Sequence, residues 1–112
     1  MLEEIRAYCL NKPHVTESFP FDETTLVFKV HNKIFALFNL EKDPLRINLK
    51  CNPEKALELR EEYAQVLPGH HMNKKHWNTI VLEGLPLTLI QQWINNSYQL
   101  VWDSLPKRLT NS

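Results

Sequence analysis

The sequence contains little glycine, little cysteine and no excess of charge of either sign. Among 112 residues there are 2 glycines and 2 cysteines, and 13 Lys and Arg balance 13 Asp and Glu. So few glycines disfavour a Gly-rich phosphate-binding loop or a flexible linker. Because nucleic-acid-binding domains usually carry net positive charge, the zero balance means that an anion-binding surface would require local segregation of charge.

Long apolar runs are also missing. No run approaches the roughly 20 residues that span a bilayer, and the N-terminal MLEEIRAYCL lacks the basic and apolar regions of a signal peptide. Cys9 falls on a predicted helix and Cys51 at the end of a predicted strand, so both are expected to be reduced thiols. We therefore expect a cytoplasmic protein that does not associate with membranes.

What the chain does contain suits one globular domain. Hydrophobic residues make up 43% and charged residues 23%, which is ordinary for a protein with a single core. There is no internal repeat, low-complexity segment or linker, and Pro106 ends the last periodic segment. The expected organisation is a single domain over residues 1–106, followed by a short C-terminal tail at 107–112.

Residue periodicity predicts three helices and four strands. The predicted helices cover 2–11, a segment that begins at Asn52-Pro53-Glu54, and 87–105; the predicted strands cover 25–30, 33–40, 46–50 and 77–82. Residues 14–22 are expected to form a connection. Short strands joined by tight turns favour antiparallel pairing with the helices on one side. The predicted fold is therefore α+β, a two-layer sandwich with helices on one face of an antiparallel sheet and the other face partly open to water.

The same periodicity predicts which side chains point into the core. In the strand at 46–50, Ile47 and Leu49 should point inward. If the first and last helices pack together, the residues they bury should be Ile5, Ile90, Ile94 and Val101. On the middle helix the predicted apolar residues are Leu57 and Ala64, and the predicted outward residues are Arg60 and Glu61. Near the end of the chain, Ser97 is expected to allow close packing, and Tyr98 to anchor its hydroxyl to a loop.

Four segments in order carry a more specific signal. They are TLVFKVHNKIFALF, PLRINLKCNPEKALELREEY, PGHHMNKKHWNTI and SYQLVWDSLP. In this combination the chain resembles, almost from end to end, the MmcQ/YjbR family of small bacterial proteins. The resemblance implies a CyaY/frataxin-like α+β sandwich and DNA binding through a double-wing arrangement. The chain departs from the family at Asn32, where a glycine is common, which affects only the type of turn between the first two strands.

Residues 70–83, HHMNKKHWNTIVLE, hold most of the polar groups with chemical potential. His70, His71 and His76 could supply imidazoles to a metal, but no Cys or acidic residue accompanies them, and zinc needs three or four convergent ligands. Cys51 could act as a nucleophile if a histidine met it in space. Exposed loop histidines and a structural thiol are the simpler interpretations, so no metal ligand, cofactor or catalytic residue is assigned.

Binding of nucleic acid is the third interpretation of this stretch. Lys74 and Lys75 have no acidic residue near them in sequence, and Trp77 could stack on a base or belong to the core. The candidate contacts combine this loop with outward positions on neighbouring strands: Lys33, Arg46, Lys50, Asn73, Lys74, Lys75, His76 and Asn78. An ordinary solvated loop explains the lysines equally well.

Two functions follow from these observations. The first is a non-enzymatic, cytoplasmic protein that contacts the phosphates of DNA weakly and in a salt-sensitive way through a basic loop and strand surface. The second is a protein-interaction module that uses the open face of the sheet and has no role with nucleic acid. The neutral charge balance favours the second, and the family resemblance and the local basic cluster favour the first. The sequence specifies no DNA site, protein partner or oligomeric state.

Overall fold

The computed structural model of the chain describes residues 1–69 and 72–111. The helices are α1 (Leu2–Leu10), α2 (Pro53–Glu62), α3 (Leu87–Ser104) and α4 (Lys107–Thr110), and the strands are β1 (Val15–Ser18), β2 (Thr25–Val30), β3 (Lys33–Asn39), β4 (Arg46–Lys50), β5 (Val66–Pro68) and β6 (Trp77–Val81). The six strands form one sheet in the order β1-β2-β3-β4-β6-β5. Every neighbouring pair is antiparallel.

One face of the sheet carries the core. Ile47 pairs with Phe38 on one side and Ile80 on the other, and all three are buried against the helices. The helix residues predicted to be buried are buried: Ile5, Ile90, Ile94 and Val101. They belong to the same apolar cluster as the strand residues, so the predicted two-layer α+β fold with helices on one face is confirmed.

The opposite face, here called the open face, is only partly open. The register places Val27, Leu37, Asn48 and Thr79 side by side across β2, β3, β4 and β6. Val27, Leu37 and Thr79 are buried even though no helix covers them. Phe21 and Asp22, which precede β2, and Met72, which precedes β6, line a cavity above this row. The loops therefore replace a second helical layer over the middle of the face.

Two strands occupy positions where the sequence predicted other structure. β1 lies within the predicted connection at 14–22, and β5 comes just before Gly69 where only a chain break was expected. They are the two edge strands of the sheet, of 4 and 3 residues. Strands this short are stabilised by pairing with a neighbour rather than by their own pattern. In addition, the predicted tail at 107–112 contains the short helix α4.

The predicted orientation of α2 was wrong. Leu57 is 58% exposed and Ala64 is also exposed, whereas Ala56 and Leu59 are the buried residues of this helix. Arg60, expected outward, is half-buried and points toward β6. The hydrogen bonds that the Arg60 guanidinium donates inside the protein compensate the cost of burying it. Their acceptors are distant in sequence, so the local helical pattern did not reveal them. The start of α2 follows the prediction: Pro53 is the first helical residue, and the side chain of Asn52 accepts a hydrogen bond from the Glu54 N–H.

Two hydroxyl groups of α3 form hydrogen bonds with other parts of the protein. The Tyr98 hydroxyl donates to the Pro13 carbonyl at 2.7 Å, which is the predicted anchor to a loop. Ser97 is fully buried, accepts a hydrogen bond from the Lys50 N–H at 2.8 Å and donates to the Phe35 carbonyl at 2.6 Å. Phe35 lies at a β-bulge, where the register between β2 and β3 shifts. Ser97 therefore supplies hydrogen bonds that the interrupted ladder lacks.

Candidate nucleic-acid interface

The basic candidates gather at one end of the sheet, here called the hairpin end. It is defined by the turn between β2 and β3 at His31-Asn32, the end of β4 at Lys50 and the start of β6 at Trp77. Because these strands are antiparallel neighbours, Lys50 pairs directly with Trp77, and Lys33 pairs with the last residue of β2. Three separate parts of the chain thus bring their polar residues to the same end of the sheet.

The turn at the hairpin end has the backbone that the sequence indicated. His31 and Asn32 both have positive φ, 46° and 67°. Positive φ at both central residues is characteristic of the type I′ turn, whose twist matches that of two paired strands. Asn32 tolerates this conformation better than most residues, so the lack of glycine does not change the hairpin. The exposed Lys33 follows immediately.

The loop before β6 is held by its own hydrogen bonds. The Asn73 side chain accepts from the Lys75 N–H at 3.0 Å, and its carbonyl accepts from the N–H of His76 and of Trp77. The His76 carbonyl accepts from the Cys51 N–H at 2.7 Å, which connects the loop to the end of β4. Lys74 and Lys75 are exposed on this fixed base. The Asn73 side-chain oxygen therefore shapes the loop, although sequence analysis proposed it as a contact.

Asn78 cannot contact nucleic acid in this structure. It is 1% exposed, its side-chain oxygen accepts from Arg60 Nε at 2.7 Å, and its amide nitrogen donates to the Ala56 carbonyl at 3.3 Å. Arg60 also donates to the Lys74 carbonyl. Asn78 and Arg60 thus join β6 to α2 and support the lysine loop from behind. The proposal that Asn78 reads a phosphate or a base is corrected to a structural role.

Arg46 and Lys50 lie on the same face of β4 but at different ends. Four residues of strand separate them by roughly 13 Å, and Arg46 lines a cavity together with Lys42 and Asn48. Arg46 is therefore not continuous with the lysines of the hairpin end. Lys29, which sequence analysis did not select, extends the basic residues of that end instead. It lies next to the turn on β2 and pairs with Ile34 and Thr16 on the open face. The bulge next to it adds Phe35 to β3 and leaves the alternation of β2 regular, with Phe28 and Val30 in the core on either side of Lys29.

Charge is separated along the strand direction even though the chain is neutral. The lysines of the hairpin end are Lys29, Lys33, Lys50, Lys55, Lys74 and Lys75. The opposite end holds the turns before β2, before β4 and before α3, and these carry one lysine, Lys42, against Asp22, Glu23, Glu41, Asp43 and Glu83. The acidic residues near the lysines are on the helices: Glu54 and Glu58 on α2, where Glu58 pairs with Lys55 at 3.7 Å, and Asp103 on α3. The open face of β2, β3, β4 and β6 contains no acidic residue.

The two thiols are not arranged for nucleophilic chemistry. Burial raises the pKa of Cys9 to about 12, and burial also raises the pKa of the half-buried Cys51 despite the nearby charges of Lys55 and Arg60. A nucleophilic cysteine requires the opposite shift. Both thiols are free of a disulfide.

The structure describes only one of the three histidines on which the metal hypothesis depends. Within 1–69 and 72–111, no three His, Cys, Asp or Glu side chains come together in a way that could hold a metal ion. His70 and His71 lie outside the described residues, so the only member of the histidine trio with a described position is the half-buried His76.

Within residues 1–69 and 72–111, no helix is long and apolar enough to cross a membrane.

Comparison with known proteins agrees with the architecture. A crystal structure of a Deinococcus radiodurans protein is 40% identical, with a TM-score of 0.92 over 99% of this chain and 86% of that one. A structure from Pseudomonas syringae is 27% identical with a TM-score of 0.74, and covers 88% of this chain and 96% of that one.

Relatives in Escherichia coli cover nearly the whole sequence. YbdF of strain O157:H7 is 38% identical and YjbR of strain K12 is 34% identical, each over 107 residues, which is 95% of this chain and 88% or 91% of the relative. Both are described as uncharacterized proteins. The family model named YjbR matches residues 10–100. On these grounds the chain belongs to the YjbR family.

Proposed function

We propose that the protein is a non-enzymatic, cytoplasmic DNA-binding protein whose contact surface is the hairpin end of the sheet. The observation that carries this proposal is the separation of charge: lysines at the hairpin end, carboxylates at the turns of the opposite end. A duplex approaching the hairpin end meets Lys29, Lys33, Lys50, Lys74 and Lys75 and stays far from those turns. A neutral protein can in this way attract a polyanion at one end.

The geometry suits contacts with phosphates rather than with bases. The lysines have long flexible stems and carry a point charge, so they reach a phosphate without a fixed pose. They are mounted on paired strands and on a loop fixed by Asn73 and Arg60, so little backbone freedom is lost on binding. Trp77 is half-exposed beside Lys50 and adds an aromatic side chain to this part of the open face. Contacts of this kind carry little sequence information.

The number of lysines sets the expected strength. With about four phosphates neutralised, the logarithm of the binding constant falls with a slope of about −3.6 against the logarithm of salt concentration. A fourfold increase in salt, from about 50 to 200 mM, then weakens binding about 150-fold. Affinity at physiological salt should lie in the non-specific range of about 10⁻⁴–10⁻⁶ M.

The test is fluorescence anisotropy with a labelled random-sequence duplex, at several salt concentrations, for the wild type and matched variants. Lys74→Ala combined with Lys75→Ala should shallow the salt slope by roughly two contacts, and Lys50→Ala should shallow it by about one. Lys42→Ala, which removes an exposed lysine from the opposite end, is the control for charge alone and should leave the slope unchanged.

Two results would overturn the proposal. One is the absence of duplex binding by the wild type at low salt, and the other is a Lys42→Ala effect as large as that of Lys50→Ala. In either case the alternative from the sequence, a protein-interaction module on the open face, takes precedence. Binding of a protein through apolar contacts would lack the steep salt dependence.

A further inference from the structure

At the end of the open face opposite the lysines there is a cavity of about 400 Å³. Its lining comes from four neighbouring strands and three loops, and the residues are Phe21, Asp22, Thr25, Leu37, Asn39, Lys42, Arg46, Asn48, Met72 and Thr79. The volume falls within the range of pockets that hold small molecules, roughly 300–1,000 Å³. The lining combines apolar surface with a few polar groups, which is the usual composition of such pockets.

Arg46 is the most unusual group in this lining. Among residues 1–69 and 72–111, its buried Nε atom has no hydrogen-bond partner, and none of the ion pairs includes it. A buried donor without an acceptor costs about 1–3 kcal/mol, more when the group is charged. Native proteins rarely leave such a group unsatisfied, and a missing anionic ligand is one explanation. The planar guanidinium fork fits a carboxylate with two parallel hydrogen bonds.

Two amide side chains add further donors. The Asn39 side-chain oxygen accepts from the Glu41 N–H at 3.1 Å, and the Asn48 side-chain oxygen accepts from the Thr79 hydroxyl. Because the carbonyl halves are occupied in this way, the amide nitrogens remain as the donor groups of both residues. The cavity therefore offers N–H groups from Arg46, Asn39 and Asn48 to a bound acceptor.

The charge balance of the lining selects the class of anion. Arg46 and Lys42 are positive and Asp22 is negative. The Asp22 carboxylate accepts hydrogen bonds from the N–H groups and hydroxyls of Thr24 and Thr25, and these bonds lower its pKa. It therefore stays ionised near neutral pH, so the lining itself has one net positive charge, although the turns around it carry further carboxylates such as Glu41 and Asp43. A single carboxylate balances that charge, whereas a doubly charged phosphate would be repelled by Asp22.

The apolar residues of the lining indicate the chemical nature of the rest of the ligand, the part that carries the anionic group. Leu37 is buried beneath the cavity, Met72 is half-buried, and Phe21 is 65% exposed in the loop before β2. An aromatic ring left this exposed gains apolar contact when a ligand covers it.

We propose that this cavity binds a small organic monocarboxylate with an apolar or aromatic body, its carboxylate on Arg46 and its body between Phe21, Met72 and Leu37. The site is at the opposite end of the sheet from the proposed DNA surface and does not depend on it.

The experiment is a ¹H–¹⁵N NMR titration of the whole protein with 3-phenylpropionate, and in parallel with 3-phenyl-1-propanol, which has the same body without the charge. We expect saturable shifts confined to amides of the lining, with a Kd of about 1 mM or tighter. The alcohol should bind at least tenfold more weakly, a difference of about 1.4 kcal/mol. Phenyl phosphate should also bind more weakly than the carboxylate.

Variants locate the site and separate it from DNA binding. Arg46→Gln should weaken 3-phenylpropionate at least tenfold, and Lys50→Gln, on the same face of the same strand, should leave its affinity unchanged. Phe21→Ala tests the apolar side at an exposed position and should weaken both aromatic probes, so the proposal stays testable if Arg46→Gln does not fold. The proposal is overturned by scattered or non-saturating shifts, by equal binding of the alcohol, or by unchanged affinity in a folded Arg46→Gln variant. Weaker duplex binding by Lys50→Gln, with a salt slope shallower by about one contact and retained ligand binding, would show that the two sites are separate.

Discussion

Replacing Ser97 with alanine tests how the sheet is held to its longest helix. The Ser97 hydroxyl donates to the Phe35 carbonyl at 2.6 Å and accepts from the Lys50 N–H at 2.8 Å. The direct pairing of β3 with β4 ends at Ala36 and Leu49. Phe35 and Lys50 are the next residues along, so the hydroxyl bridges the two strands where their own ladder stops.

The magnitude follows from the groups that lose a partner. An unpaired buried backbone group costs about 1–3 kcal/mol, with the lower end appropriate to the part-buried Lys50 N–H. Alanine returns about 0.5 kcal/mol through its higher helix propensity. The sum predicts that Ser97→Ala lowers the free energy of unfolding by roughly 1.5–3.5 kcal/mol.

Urea unfolding followed by far-UV circular dichroism measures this difference, provided that the m-value stays constant. The matched control is Ser104→Ala on the same helix. The Ser104 hydroxyl donates only to the Val101 carbonyl at 2.7 Å, and the residue is exposed, so the change should stay within about 0.5 kcal/mol. If the two variants differ in stability by less than about 0.5 kcal/mol, the bridge does not stabilise the protein and the argument is refuted.

Three further expectations concern the turn, the thiols and the loss of stability at acid pH. Asn32→Ala should destabilise the protein by about 1 kcal/mol because alanine fits poorly at φ 67°, whereas Asn32→Gly should not; urea midpoints decide, and equal effects would contradict the type I′ turn. Native protein treated with a thiol reagent at pH 8 should react first at Cys51 and slowly at Cys9, whose pKa burial raises to about 12; faster labelling of Cys9, located by mass spectrometry, would contradict its burial. The pKa of Asp22 in the folded protein lies below its ordinary 3.8, so its contribution to stability is present above pH 3.8 and is lost as pH falls through the lower folded value. Asp22→Asn should therefore flatten the dependence of stability on pH below 3.8. An unchanged profile would show that the hydrogen bonds it accepts from Thr24 and Thr25 contribute nothing.

Local patterns were sufficient where a segment decides its own structure. The alternation in Arg46-Ile47-Asn48-Leu49-Lys50 predicted a strand and its buried face, because the side-chain period of two is a property of the strand itself. The start of α2 was predicted from Asn52 and Pro53 for the same reason, since a capping side chain bonds within its own first turn. The apolar stripe of α3 predicted the burial of Ile90, Ile94 and Val101.

The same patterns failed where the partner is distant in sequence. Arg60 was expected in solvent, but Asn78 of β6, 18 residues away, accepts its hydrogen bond and draws it inward. The edge strands β1 and β5 exist because β2 and β6 pair with them, which their own few residues do not reveal. In the candidate site, the same distant contact places Asn78 in the interior and not on the surface.

The sequence by itself determined the family, the α+β class, the antiparallel sheet and most of the lysines of the hairpin end, because each of these depends on local spacing or on motifs in order. Only the tertiary structure decided that a neutral chain has a basic end and an acidic end. Antiparallel strands reverse direction at every turn, so residues that alternate in sign along the sequence are sorted by the turn at which they lie. Tertiary structure also decided that Arg46 faces a cavity, since that cavity is formed by loops that meet over the sheet from distant parts of the chain.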